Sequence, residues 1–132
     1  MPIISLSISE KLLQRFDDAI MDRGYSSRSE AFREAIRDYL VEYDWSDELG
    51  EEIISVITVI YDKKLPGNVL TEINHKFEDI VKMLTHLHLD EENCLEIFVT
   101  KGKGKRIKEL IQAIEPIKGV KRVGFLNELC EI

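Results

Sequence analysis

Residues 3–8, Ile-Ile-Ser-Leu-Ser-Ile, alternate with the period of a strand. Ile4, Leu6 and Ile8 fall on one side; Ile3, Ser5 and Ser7 fall on the other. Ser9 is a good N-cap for a helix running to about Arg23, with Leu12, Leu13, Phe16, Ala19 and Ile20 as its apolar stripe. Gly24 stops it. Ser27-Arg28-Ser29-Glu30 fits the S-x-x-E capping box and opens a second helix, striped by Ala31, Phe32, Ala35, Ile36, Tyr39, Leu40 and Tyr43. So short a strand-helix-helix unit buries too little surface to stand alone. Its strand also has unpaired edges that a matching strand of a second copy would satisfy. An intertwined dimer is expected.

The acidic stretch from Tyr43 to Glu52, broken by Gly50, reads as a linker and divides the chain into 1–46 and 52–132. The second part predicts a strand over Ile53–Tyr61, a turn at Pro66-Gly67, and a helix from about Asn68 to Leu84. A short strand over Thr85–Leu89 follows, then a turn at 90–93, a strand over Cys94–Thr100, a helix over Lys105–Glu115, and a strand over Gly119–Asn127. The order βαββαβ is the ferredoxin-like arrangement, an antiparallel sheet with both helices on one face. The fold class is α+β.

Composition narrows the function. With 44% hydrophobic and 33% charged residues, the 132-residue chain reads as soluble and globular. No apolar run is long enough to span a bilayer, and the N-terminus lacks the pattern of a signal peptide, so a cytoplasmic protein with no membrane association is expected. Two cysteines make no disulfide framework. A net charge of −7 argues against a general nucleic-acid coat, and residues 1–43 carry eight acidic side chains against six basic. DNA binding therefore requires a local surface. A paired ribbon presenting Ile3, Ser5 and Ser7 would fit the major groove. The start of the second helix offers backbone N–H groups to a phosphate, with Arg23, Arg28 and Arg33 nearby. A solvated capping box with ordinary surface arginines is the plainer account of the same residues.

All three histidines, His75, His86 and His88, lie within 20 residues of Cys94. His86 and His88 share one face of a strand, and pairing across the turn sets Cys94 beside His88. Leu87 and Leu89, on the other face, are expected to meet the helices, which leaves the histidines on the bare face. His75 lies roughly 200° around its helix from Ile73 and Phe77. It points away from its own core; a single chain cannot easily bring it to the other three, and a second chain packing on the bare face could. Taken singly, these are a surface pair, a small core cysteine and a solvated histidine. Together they suggest a shared site of three imidazoles and one thiolate. A planar set of that kind favours nickel(II) or copper(II), a tetrahedral one zinc, and the sequence leaves the geometry open. No nucleophile–base pair and no phosphate loop emerges, so no enzyme is expected.

His86-Leu87-His88 followed by Asn93-Cys94-Leu95-Glu96, with His75 eleven residues before His86, resembles the nickel-responsive regulator family. So does the helix signature Arg23-Gly24-Tyr25-Ser26-Ser27-Arg28-Ser29-Glu30-Ala31. The resemblance implies a ribbon-helix-helix segment joined to a ferredoxin-like, ACT-type domain, assembled as a homotetramer. It implies repression of nickel uptake genes through a two-part palindromic operator in double-stranded DNA. It also implies one square-planar nickel(II) per chain, held by His86, His88 and Cys94 of one subunit and His75 of its neighbour. On the reading of the residues themselves, Glu96 and Tyr61 are candidates for partners of the ligands or for the interface between chains. Glu30 and Glu34 match the positions at which family members hold a second cation, such as potassium. The sequence departs from the pattern at Ile3, where the family often has arginine, and at Glu34, often aspartate. The loop Asp62–Pro66 is shorter than in some relatives, with Lys63 and Lys64 as further backbone contacts to DNA. Cys130 matches no ligand position and reads as structural. The competing readings are a ribbon-helix-helix regulator sensing copper, cobalt or zinc, one answering to a protein partner, and an ACT-type module sensing an amino acid.

Overall fold

A computed structural model describes residues 1–130. It resolves into two compact units, Met1–Arg37 and Asp38–Ile132. The last two positions of the expected second domain, 131 and 132, lie outside the described residues.

In the first unit, α1 spans Glu10–Asp22, and its N-cap Ser9 accepts a hydrogen bond from the Leu12 N–H at 3.3 Å. The helix ends in a Schellman turn. The Gly24 N–H donates to the Met21 carbonyl and the Tyr25 N–H to the Ile20 carbonyl, at 3.2 and 3.1 Å. Gly24 takes φ 78°, a conformation that favours glycine. The second helix, α2, spans Arg28–Ser46, so the division between the units falls within it. The capping box is half formed. Ser27 Oγ accepts from the Glu30 N–H at 3.2 Å, whereas the Glu30 carboxylate accepts from Ser26 Oγ at 2.6 Å. Phe16 and Phe32 stack between the two helices with ring centroids 4.6 Å apart. Residues 3–8 form no ladder within the chain, since a lone strand has no partner to pair with. Ile4 and Leu6 are left exposed.

Arg28 forks onto the Asp17 carboxylate at 2.8 and 2.7 Å, joining the two helices. This hydrogen-bonded guanidinium holds the Asp17 carboxyl below its ordinary value. A carboxyl lowered in the folded state stabilises the fold above its unfolded pKa, and that support is lost as pH falls through the folded one. Asp17→Asn is therefore expected to flatten the fall in melting temperature below about pH 4. Parallel melting curves for both proteins between pH 5 and 2 would show that this exposed pair does nothing for folding.

The second unit is built on a sheet of order β2-β3-β1-β4. Its strands are β1 (Ile53–Asp62), β2 (Val81–His88), β3 (Asn93–Gly102) and β4 (Val120–Leu129), all antiparallel to their neighbours. Two further helices, α3 (Asn68–Lys76) and α4 (Gly104–Ile114), complete the βαββαβ order. Burial alternates along β1: Ile53, Ser55, Ile57, Val59 and Tyr61 are buried, and their neighbours are partly exposed. The buried set packs with Leu70 and Ile73 of α3 and with Ile107, Leu110 and Ile114 of α4. The opposite face carries Ile54, Val56, Ile60, Leu95, Ile97 and Val99, an apolar surface without helices.

The expected long helix over 68–84 is corrected. It stops at Lys76, where the Phe77 N–H is shared between the Ile73 and Asn74 carbonyls. Phe77 and Ile80 remain core residues, but in a turn. From Val81 the chain runs as strand against β3, and the Lys101 N–H donates to the Ile80 carbonyl at 2.9 Å. Apolar residues at 77, 80, 81 and 84 satisfy a helical stripe, but the open edge of β3 offers a ladder of backbone hydrogen bonds that helix continuation would forfeit.

Candidate metal centre

The hairpin of β2 and β3 builds the site. Its turn is tied by Asp90, whose carboxylate accepts from the Glu92 and Asn93 N–H groups at 2.8 Å each; the Asn93 side-chain amide, and then those two N–H groups, hold the carboxyl below its ordinary value. The turn fixes the register that sets His88 opposite Cys94 and His86 opposite Glu96. Across β1, Cys94 stands opposite Tyr61. Residues directly opposite in a sheet share a face. His86, His88, Cys94, Glu96 and Tyr61 therefore lie on one face, and it is the face that carries the helices. The expectation that the histidines occupy the bare face is corrected: Leu87 and Leu89 do, and both are exposed. The error came from taking apolar to mean core in a sheet whose two faces are both apolar.

His86, His88 and Cys94 offer donor atoms that all lie within 4.8 Å of one another. Cys94 is buried, both histidines are exposed, and Nδ1 of His88 is 3.3 Å from the sulfur. Two imidazoles and a thiol suit a borderline transition metal. Three protein donors leave at least one position to be filled from elsewhere. These three residues border a cavity of about 540 Å³ whose far wall is the start of α3, with Leu65, Pro66, Leu70 and Thr71. That wall was not legible in the sequence.

Behind His86 lies a compact network. Its Nδ1 is 2.6 Å from Glu96 Oε1, to which the Tyr61 hydroxyl donates at 2.9 Å, and the hydroxyl is also 2.8 Å from Nδ1. Glu96 is buried, and a buried carboxylate demands such donors. Burial and the neighbouring Glu96 push the Tyr61 phenol well above its ordinary value, so it stays protonated as a donor. A proton on Nδ1 facing Glu96 leaves Nε2 of His86 free as a ligand. The sequence singled out Tyr61 and Glu96, and they meet at His86.

The remaining candidates are dispersed. His75 stands exposed on α3, outside the three-residue cluster, with Nδ1 2.6 Å from Glu78 Oε1. Ile3, Ser5, Ser7 and Arg33 are exposed, and Arg28 is engaged with Asp17. Glu30 is bonded to Ser26, and Glu34 accepts from Arg37 at 2.8 Å, so each acidic candidate has a partner already. Lys63 borders the cavity. Cys130 is a free thiol of intermediate burial. Among the described residues, no helix is long and apolar enough to cross a membrane.

Residues 54–126 match the family of the NikR C-terminal nickel-binding domain, and residues 3–43 match the CopG family of ribbon-helix-helix proteins. A protein named as a nickel-responsive regulator in Methanocella arvoryzae is 47% identical over 91% of this chain and 87% of its own length. Another so named in Methanothermobacter thermautotrophicus is 41% identical over 97% of this chain and 93% of its own. An uncharacterized protein of Thermotoga maritima shares the fold, with TM-score 0.52 and 22% identity over 58% of this chain and 98% of its own. With ribbon-helix-helix and nickel-binding segments in that order, and relatives matching along almost their whole length, the chain belongs to the nickel-responsive regulators, a family of transcriptional regulators and not of enzymes.

Proposed function

We propose that this protein is a nickel-dependent repressor of nickel uptake genes, acting in the cytoplasm as a homotetramer. The observation that carries this reading is the convergence of His86, His88 and Cys94 donor atoms within 4.8 Å in a chain of this family. His75, exposed on α3 and outside that cluster, completes the set from a neighbouring chain, giving one nickel(II) per chain. A bound metal would supply bonds that tie two chains together. The chain's own residues do the rest: Glu96 and Tyr61 hold the His86 ring, and the β2–β3 turn holds His88 and Cys94 in register. The apolar bare face of Ile60, Leu87, Leu95 and Leu126 is a second contact between copies, separate from the one that brings His75 to the cluster on the helix-covered face.

Residues 1–46 serve as the DNA-binding domain, and 52–132 as the metal-binding and tetramerisation domain. A ribbon from two copies presents Ile3, Ser5 and Ser7 to a palindromic operator, with Arg28 and Arg33 on the backbone. Arg28 must then exchange its bond to Asp17 for a phosphate. Glu30 and Glu34 hold a second cation such as potassium. Sites linked in this way obey reciprocity: nickel and operator strengthen each other's binding by the same factor.

A nickel titration of the metal-free protein, followed by visible and near-ultraviolet absorption beside a His75→Ala variant, tests the reading. One equivalent per chain with thiolate charge-transfer and square-planar bands, lost in the variant, is expected. A preferred tetrahedral zinc site with no planar nickel spectrum would replace nickel by zinc as the signal.

A further inference from the structure

We propose that Glu78 is a positioning residue for His75: it holds the ring by Nδ1 and so presents Nε2 as the nitrogen donated to a metal in another copy. The proposal rests on the reading above that His75 is a ligand from a neighbouring chain.

Three observations carry it. The first is the contact itself, Nδ1 to Glu78 Oε1 at 2.6 Å. A neutral imidazole has one bare nitrogen, and a carboxylate at Nδ1 selects the tautomer whose proton faces it. Nε2 is then the free lone pair. The second is that Glu78 sits between two anchored neighbours. Phe77 is buried on one side, with the Arg106 guanidinium 4.2 Å above its ring. On the other side, Asp79 accepts a fork from Arg106 at 3.0 and 3.1 Å. Arg106 also donates to the Lys76 carbonyl at 2.8 Å, tying the end of α3 to α4. The Glu78 backbone is thereby fixed, although its carboxylate is solvated. Both side chains are nonetheless exposed, 68% and 65%, so the contact orients the ring without adding much to stability. The third is the parallel with the cluster: His86 also has a carboxylate, Glu96, at Nδ1. Two of the proposed imidazole ligands are oriented in the same way, one in a buried setting and one in an exposed setting. An exposed ligand that must wait for a second chain has most to gain from a fixed ring, because disorder there adds to the entropic cost of assembling the site.

The test measures nickel affinity by competition with a chelator for wild type, Glu78→Ala, Glu78→Gln and His75→Ala, with melting of each metal-free protein. Glu78→Ala is expected to weaken nickel binding about tenfold, the lower end for partners of metal-ligating histidines. Glu78→Gln should recover most of that loss, because its amide oxygen still accepts from Nδ1–H. Melting temperatures of the metal-free proteins and the charge-transfer band at saturation should be unchanged. Wild-type affinity in Glu78→Ala alongside weakened His75→Ala would overturn the role of Glu78 and leave His75 a ligand. A loss in Glu78→Gln equal to that in Glu78→Ala would show that charge acts, not orientation, and would also overturn it. Full affinity in His75→Ala would remove the ligand on which the proposal stands.

Discussion

Cys94→Ala is expected to weaken nickel binding by more than about a hundredfold and to abolish the sulfur-to-metal charge-transfer absorption. Outer partners of a metal ligand are commonly worth 10–100-fold, and a ligand itself should exceed them. The sulfur lies 3.3 Å from His88 Nδ1 and is the only soft donor in the cluster, so its loss leaves two imidazoles of one chain. Cys94 is also buried, and its removal costs some packing in the metal-free protein. Comparing affinity with metal-free melting separates the two effects. Retention of tight nickel binding with an altered spectrum only would place the essential donors elsewhere.

Phe98→Ala should cost about 3–5 kcal/mol, the usual penalty for emptying a fully buried aromatic site. Among the described residues Phe98 is the largest fully buried side chain, standing on β3 opposite Ile57 on β1 and Leu84 on β2. At about 4–8 °C per kcal/mol for a domain of this size, the melting temperature should fall by tens of degrees. Urea unfolding at matched protein concentration is the appropriate measurement, since assembly shifts apparent stability. A loss below about 1.5 kcal/mol would mean that the site collapses around the smaller side chain or that Phe98 is not in a close-packed core.

Element order was legible because the periods are clean. The alternation along Ile53–Tyr61 and the 3.6-residue stripe of Ile107, Leu110, Ile111 and Ile114 each have one reading. The stretch from Phe77 to Leu84 has two, and tertiary pairing chose between them. The convergence of His86, His88 and Cys94 was legible because their spacing is local: a tight turn forces His88 against Cys94 whatever the remainder of the chain does. Its face was not. Leu87 and Leu89 look like core residues, yet the core side of the hairpin is the one bearing histidine, cysteine and glutamate. A polar site at the edge of a helix-covered face, backed by an apolar bare face, inverts the usual inside-outside rule. Glu78 was missed although its i,i+3 spacing from His75 was a usable signal.

The locality of the hairpin has a thermodynamic consequence. His86, His88 and Cys94 span nine consecutive residues, so they remain near one another even when the rest of the molecule is unfolded. The denatured chain is then expected to retain some affinity for nickel, and binding to unfolded Cys and His reduces the stabilisation expected from mass action. Melting-temperature shifts with nickel will understate the affinity of the native assembly, and the shortfall will itself measure how much of the site the open chain carries.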